Sequence, residues 1–206
     1  MDSLLKPPSR PKDSVDHPTE VVDGRRKRSE DSRARIVAAM LDLVHAGEPA
    51  PGAEQVAAHA GVGLRTVFRH FSDMDSLYRE MSAAIEGEIA EVVSKPLKGD
   101  TWRERLSDMI ARRSAAFEKM APFQRAAAVH RHRSRYLDDA HGRFTATCRA
   151  YLVAILPKEV TTRPTLLESL DLMLSFETWS RLRREQNLTA RRARAVVEET
   201  VLKLIG

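Results

Sequence analysis

The chain is poor in cysteine, in glycine and in long apolar runs, and each shortage excludes a class of protein. Cys148 is the only cysteine among 206 residues, so no disulfide can form within the chain, and a reducing, cytoplasmic setting is expected. The 9 glycines form neither a phosphate-cradling loop nor a dinucleotide-binding fingerprint. The longest strongly apolar stretch, residues 151–156, is far shorter than the ~20 residues of a membrane helix, and no secretory signal is expected.

Charged side chains are plentiful but nearly balanced in sign. The sequence holds 34 Lys and Arg against 29 Asp and Glu, which gives a net charge of +5. Such a mild excess permits an anionic partner without requiring one. Residues 24–80 carry nine basic and eight acidic side chains, so nucleic-acid binding there would depend on placed charges. No paired carboxylates, nucleophile–base set or metal-ligand spacing is evident, and we expect neither enzymatic activity nor a cofactor or metal.

The sequence divides into three parts. Residues 1–23 contain four prolines among polar residues and no periodic apolar pattern, which predicts a disordered tail. Residues 24–80 and 81–206 show apolar residues at helical spacing, and no convincing strand is present. We therefore expect an all-α fold, with a compact N-terminal three-helix domain followed by a C-terminal helical bundle.

Helix boundaries follow from breakers and capping residues. In the N-terminal part, helices are predicted over residues 33–46, 53–60, 64–71 and 73–93. The last of these begins with a capping box formed by Ser72 and Asp75. In the C-terminal part, an apolar stripe over 102–120 ends at Pro122, and further helices are predicted over 133–156, 165–182 and 190–205. The helix over 165–182 is apolar on nearly every side, as a helix buried between several neighbours would be.

Two short helices flank a tight turn at residues 61–63, which is the pattern of a helix-turn-helix. In that motif the second helix lies in the major groove of DNA, and its first residues face the base edges. Arg65 near the start of this helix suits a bidentate contact with guanine, worth about 1–3 kcal/mol of discrimination. Thr66 and His70 suit contacts with phosphates.

Residues 32–81 hold apolar, glycine and polar residues at a distinctive spacing, namely Ile36, Ala39, Leu43, Gly47, Val56, Ala57, Ala60, Gly61, Val62, Thr66, Val67, Phe68, His70, Phe71, Leu77 and Tyr78. In these residues and their spacing the stretch resembles the DNA-binding domain of the TetR family of transcriptional regulators. The resemblance implies a homodimer bound to a palindromic operator, usually as a repressor, with residues 24–80 as the DNA-binding domain. It also implies that residues 81–206 hold an effector pocket and dimerise through the helices near 165–185 and 190–205.

By position in the family's pattern, DNA contacts are expected on a basic run before the first helix and along the second helix of the motif. These residues are Arg25, Arg26, Lys27, Arg28, Gly63, Leu64, Arg65, Thr66, Phe68, Arg69 and His70. The alternative for the basic run is a solvated charge cluster. Phe68 could instead belong to the core, to which we assign Phe71.

Three positions depart from the family's pattern. Gly52 stands where Ser or Thr usually caps the second helix, Phe68 where a tyrosine usually reaches a phosphate, and Met74 where a lysine is common. Three phosphate contacts are therefore expected to be absent, and the run of residues 25–28 is expected to compensate for them.

The resemblance places the effector pocket in the C-terminal part, where apolar aromatic and methionine side chains are the candidates to line it. They are Trp102, Met109, Phe117, Met120, Phe123, Tyr151, Met173 and Phe176. The alternative is that this set is simply the core, and some members could serve both roles. His130, His132, His141 and Cys148 raise the further alternatives of metal or redox sensing. An alternative function is a DNA-binding regulator that has no small-molecule effector and works through protein partners.

Overall fold

A computed structural model describes residues 19–93 and 95–206, with the side chains of residues 24, 26–87 and 95–206. Within these ranges the chain is all-helical and has no strand, which confirms the predicted fold class. The helices are α1 Thr19–His45, α2 Ala53–Ala60, α3 Leu64–His70, α4 Met74–Val93, α5 Trp102–His130, α6 Arg135–Ile155, α7 Lys158–Thr161, α8 Pro164–Met173, α9 Phe176–Arg184 and α10 Ala190–Ile205. No helix in the described part is long and apolar enough to span a membrane.

The first helix is longer than its apolar pattern indicates. It begins at Thr19, so residues 19–23, which the sequence assigned to the tail, belong to α1. The rest of that tail, residues 1–18, lies outside the described residues. Ile36, Met40 and Val44 are buried at 1% exposure or less and hold the second half of α1 against the bundle.

The short helices α2 and α3 match their predicted bounds to within one residue, and local signals explain why. Gly52 begins α2 without a side-chain cap, but Oε1 of Gln55 accepts from its backbone N–H at 2.8 Å. Gly61 ends α2 in the left-handed region, with φ of 62°, where a side chain is disfavoured. Val62 N–H then donates to the carbonyl of Ala57 at 3.0 Å, which closes the turn.

The predicted capping box at the start of α4 is wrong by one residue. Asp73, not Ser72, caps the helix, because Oδ1 of Asp73 accepts from the Ser76 N–H at 2.7 Å. The carboxylate of Asp75 is used elsewhere, as the acceptor of a hydrogen bond from the hydroxyl of Ser134 at the start of α6. This contact ties the helix-turn-helix region to the C-terminal bundle.

Pro122 does not end the fifth helix, as the sequence predicted, but lies inside it. A proline in a helix interior removes one hydrogen bond and costs about 3 kcal/mol. Buried side chains on both sides of the proline, among them Phe117, Met120, Phe123 and Ala126, anchor the flanking turns in the core. Tertiary packing therefore outweighs the local cost.

The helix predicted over 165–182 is in fact two helices, α8 and α9, which meet at Leu174 and Ser175. Arg113 of α5 stabilises the break, because its guanidinium donates to the carbonyl of Leu174 at 3.2 Å and to that of Cys148 at 2.8 Å. Ser175 restarts the chain as the cap of α9 and accepts from the Thr178 N–H at 3.1 Å. The short helix α7 was not predicted.

Buried side chains form one continuous cluster that runs from Ile36 of α1 to Val201 of α10. The N-terminal helices rest on α5 and on the start of α6. At this seam the rings of Tyr78 and His130 are 4.9 Å apart, and those of His45 and Phe123 are 4.6 Å apart. Changes in the C-terminal bundle can therefore reach α4 through direct packing.

Candidate functional site

The third helix buries one side and exposes the other. Val67, and Phe71 just after the helix, are buried at 2% exposure or less, which confirms Phe71 as a core residue. On the opposite side Leu64 is 38% and Phe68 50% exposed. Because residues four apart share a helix face, Leu64 and Phe68 form an apolar row beside a cationic row of Arg65 and Arg69, which are also exposed. This outer face is available to a partner.

Two arginines of α1, which the sequence analysis did not single out, position this helix. Arg33 donates to the carbonyl of His70 and to Oε1 of Glu80, each at 2.8 Å, and its guanidinium stacks over the Phe71 ring at 4.5 Å. Arg35 donates to the carbonyls of Ala60 and, at 3.1 Å, of Gly61. Together they fix both ends of the turn-and-helix unit. No sequence signal marks them, since these contacts join residues 25 to 47 positions apart.

The remaining predicted DNA contacts differ in how they are presented. Gly63 is exposed and Thr66 half-buried. The Nε2 atom of His70 is buried without a hydrogen-bond partner in the described structure, and burial lowers the pKa of the ring, as do the charges of Arg69 and Arg33. A phosphate contact through Nε2 would require this ring to turn, and the role of His70 stays a prediction.

The basic run lies on the first half of α1, before the buried stretch. Arg26, Lys27 and Arg28 are exposed, and the side chain of Arg25 lies outside the described residues. Arg26 pairs with Glu30 one turn later at 2.9 Å, and Nε of Arg28 donates to the carbonyl of Gly24 at 3.0 Å. The run is thus displayed on a helix.

A cavity of about 420 Å³ lies between α4, α5, α6 and α9. Of the eight candidate effector residues, Met120, Phe123 and Phe176 line it. Phe117 and Met173 lie together at a much smaller cavity between α5 and the α8–α9 break. The other three are elsewhere: Met109 is buried in the core, Trp102 is half-buried at the start of α5, and Tyr151 is 41% exposed.

The polar lining of this cavity was missed by the sequence analysis. It includes Arg125 and Arg131 from the α5 end and Arg181 and Arg184 from α9, together with His141 of α6. The only sequence signal for it is the charge of residues 100–150, which hold eleven basic against six acidic side chains.

Metal and redox sensing find little support in the geometry. Among the described residues no three His, Cys, Asp or Glu side chains converge as metal ligands. His130 stacks on Tyr78, and burial lowers its pKa, as do the charges of His132 and Arg133. Burial raises the pKa of the Cys148 thiol, although the nearby Arg113 opposes the rise. A buried thiol of raised pKa is a poor nucleophile at neutral pH.

No protein-family model matches the chain, and no curated protein matches it. Solved structures do. A transcriptional regulator from Rhodococcus sp. Rha1 superposes with a TM-score of 0.66 at 19% identity, over 84% of this chain and 95% of that one. A candidate transcriptional regulator from Pseudomonas aeruginosa PAO1 superposes with a TM-score of 0.62 at 18% identity, over 87% and 91%.

These likenesses show a shared fold. They extend well beyond residues 32–81, because each covers more than four fifths of the chain. The three proteins therefore also share the arrangement of their C-terminal helices, which lie outside residues 32–81.

Proposed function

We propose that this chain is a sequence-specific DNA-binding transcriptional repressor of the TetR type, which acts as a homodimer on a palindromic operator and responds to a small molecule. The observation that carries the proposal is the outer face of α3, where Leu64, Arg65, Phe68 and Arg69 are exposed on a helix-turn-helix. The descriptions of the two similar structures, a regulator and a candidate regulator of transcription, support it.

In the proposed complex α3 enters the major groove, and Arg65 forms a bidentate contact with guanine. Arg69 and the hydroxyl of Thr66 contact phosphates, while Arg33 and Arg35 hold the helix at its angle. The basic run at the start of α1 adds phosphate contacts. Deleting residues 1–28 is expected to weaken operator binding and to flatten its dependence on salt, because fewer counterions are released. An unchanged salt slope would contradict this role.

Dimerisation through the helices near 165–185 and 190–205 is supported by apolar side chains that the single chain leaves exposed. Leu172 of α8 is 66% exposed, and Leu202 and Leu204 of α10 are each 38% exposed. Burying such side chains in a second copy would remove them from water. Light scattering at micromolar concentration tests the dimer. We expect Leu172→Asp to shift the protein towards the monomer, and a monomeric unsubstituted chain would contradict the dimer.

The cavity beside α4 supports a small-molecule effector over regulation through protein partners alone. Met81, Ser82 and Ile85 of α4 line it, and α4 directly follows the helix-turn-helix. A ligand that favours one position of α4 would change the spacing of the two recognition helices in a dimer, and half-sites lie about 34 Å apart. A few ångströms of misfit would then weaken binding.

The experiment that tests the proposal is a selection of double-stranded DNA from random oligonucleotides by the full-length protein at fixed salt. We expect a palindrome from the unsubstituted chain and from Arg135→Ala, which removes an equal charge from an arginine whose side chain is 96% exposed on α6. We expect Arg65→Ala to lose information at one base pair of each half-site. If neither the unsubstituted chain nor either variant selects a sequence, specific DNA binding is contradicted.

A further inference from the structure

The cavity between α4, α5, α6 and α9 is lined by both apolar and charged side chains. Met120, Phe123 and Phe176 belong to its apolar lining. Its charged lining comprises Arg125, Arg131, Arg181, Arg184, His141, Glu86, Glu177 and Glu185. The volume of about 420 Å³ falls within the range of roughly 300–1,000 Å³ that is usual for small-molecule sites.

Two of the three lining glutamates are already engaged by basic side chains of the same lining. Glu177 lies 3.8 Å from Nε2 of His141, and Glu185 lies 3.7 Å from Nε of Arg181. Among the described side chains, Arg125, Arg131 and Arg184 form no ion pair, and the four arginines of the lining outnumber its three glutamates even when His141 is neutral. The cavity therefore keeps an excess of positive charge beside its apolar lining.

The arginine next to this wall shows how the fold treats a guanidinium that it uses for structure. Arg183 donates to both carboxylate oxygens of Glu118, at 2.8 and 2.9 Å, and Nε1 of Trp179 donates to the same carboxylate at 2.8 Å. The pKa of Glu118 is lowered, chiefly by the hydrogen bond from Arg183. Glu118 is thus committed to Arg183 and Trp179, although it lies near Arg125 as well.

Arg125 and Arg184 are close to each other and lack such a partner in the described structure. Both line the main cavity and a second one of about 210 Å³ beside it. Burial lowers the pKa of Arg125, and the charge of Arg184 lowers it further. Arg125 is half-buried and Arg184 is exposed. Two like charges that lie near each other repel, and a bound anion would relieve this repulsion.

We propose that the cavity binds an amphipathic carboxylate, whose carboxylate group pairs with Arg125 and Arg184 and whose apolar body packs against Met120, Phe123 and Phe176. The guanidinium fork matches the two oxygens of a carboxylate, and such charge-assisted hydrogen bonds are stronger than neutral ones. That this ligand is the effector of a repressor rests on the function proposed above, whereas the binding site itself rests on the cavity alone.

The test measures direct binding to the full-length protein by calorimetry, without DNA. The probes are two matched series: 2-naphthoate, 2-naphthalenemethanol and 2-naphthylmethylammonium, and decanoate, 1-decanol and decylammonium. We expect at least one carboxylate to bind about tenfold more tightly than its neutral and cationic analogues. We expect Arg125→Gln and Arg184→Gln each to weaken carboxylate binding about tenfold and to change neutral binding less than about twofold.

Arg135→Gln is the matched control, because it removes an equal charge from a side chain of α6 that is 96% exposed and does not line the cavity. It is expected to retain the preference for carboxylates. The proposal is overturned if neutral or cationic probes bind as tightly as carboxylates, if the Arg125 and Arg184 variants keep the preference, or if no probe binds at about 1 mM. Helical circular dichroism confirms that each variant folds. Carboxylate binding without any operator binding would contradict the repressor and leave this site standing.

Discussion

The outer face of α3 and the wall of the cavity both combine arginine with apolar side chains, but in opposite surroundings. On α3, Arg65 and Arg69 are exposed beside Phe68, which is itself 50% exposed. At the cavity, Arg125 is half-buried beside Phe123, which is 7% exposed. The first surface is an exposed helix face, whereas the second lines a cavity of about 420 Å³.

The arginines of this chain fall into two groups, those with hydrogen-bond partners in the fold and those without. Arg33 and Arg183 donate hydrogen bonds to carbonyls and carboxylates of the fold, and each holds a helix in place. Arg65 and Arg125 form no hydrogen bond or ion pair among the described residues. A guanidinium that is partnered within the chain positions an element, whereas we expect an unpartnered one beside apolar side chains to contact a ligand or DNA.

The largest effect is expected from shortening a fully buried side chain, in either the N-terminal helices or the C-terminal bundle. Met40 of α1 and Leu170 of α8 are both fully buried, so Met40→Ala and Leu170→Ala should each lower the free energy of unfolding by about 2–5 kcal/mol. Because the buried cluster is continuous, we expect a single transition in urea for both variants. Circular dichroism at one protein concentration checks this, since a dimer makes stability depend on concentration.

Two separate transitions would break the picture of a single folding unit. If Met40→Ala shifted only the first of them, residues 24–80 would be an independent domain that merely rests on the C-terminal bundle. The seam contacts of Tyr78 with His130 and of Asp75 with Ser134 would then contribute little to stability.

A second prediction contrasts an arginine that positions a helix with one that does not. Arg33→Ala removes two hydrogen bonds and the stack on Phe71, and should cost about 1–3 kcal/mol. Arg26→Ala removes one exposed ion pair within a helix and should cost about 0.5 kcal/mol or less. Urea unfolding measures both variants. Equal losses would show that Arg33 does not hold α3 in place.

The bounds of α2 and α3 could be predicted because their signals are local. Gly52, Gly61 and Gly63 stand at the ends of these helices, and Gly61 adopts a left-handed φ of 62°. The C-terminal errors have the opposite origin. Helix α5 continues through Pro122, and the predicted helix over 165–182 breaks at Leu174, because of contacts with side chains that are distant in sequence. One example is Arg113, whose hydrogen bond to the carbonyl of Leu174 spans 61 positions. No local pattern carries that information.

The candidate sites divide in the same way. The exposed residues of α3 could be predicted because a helix position fixes which way a side chain points. The cavity was predicted in kind, but only three of its eight expected lining residues line it. Its arginines were missed because apolar patterning reports burial and says nothing about which charges lack partners. Whether an arginine lacks a partner depends on which basic side chains Glu118 and Glu185 pair with, namely Arg183 and Arg181.

A third prediction compares one residue type in the two regions. Burial lowers the pKa of His70 at the end of α3 and of His130 at the seam, so the folded state favours both neutral rings. Their contribution to stability is complete above the unfolded value of about 6.5 and is lost as the pH falls below it. Between pH 7.5 and 5.5 we expect a loss of less than about 1 kcal/mol, because both rings remain partly accessible.

Urea midpoints at the two pH values measure this loss. His130→Gln should reduce it, whereas His132→Gln should reduce it less, because the exposed His132 acts on the His130 ring only through its charge. The carboxylates of lowered pKa, such as Glu118, lose their contribution only at more acidic pH and do not interfere. A protein that is equally stable at both values would show that neither ring is desolvated enough to matter.

The smallest effect concerns the apolar row on α3. Leu64 and Phe68 are 38% and 50% exposed, so we expect them to contact the apolar group of the major groove, the thymine methyl. Replacing one contacted thymine of the selected operator by deoxyuridine should cost about 0.8 kcal/mol, or roughly fourfold in affinity. Phe68→Ala should remove this sensitivity while leaving the free energy of unfolding within about 0.5 kcal/mol and carboxylate binding unchanged. Phe123→Ala should keep the sensitivity to deoxyuridine, but lower the free energy of unfolding and weaken carboxylate binding. A deoxyuridine effect that survives Phe68→Ala would assign the methyl contact to Leu64 or to the cationic row.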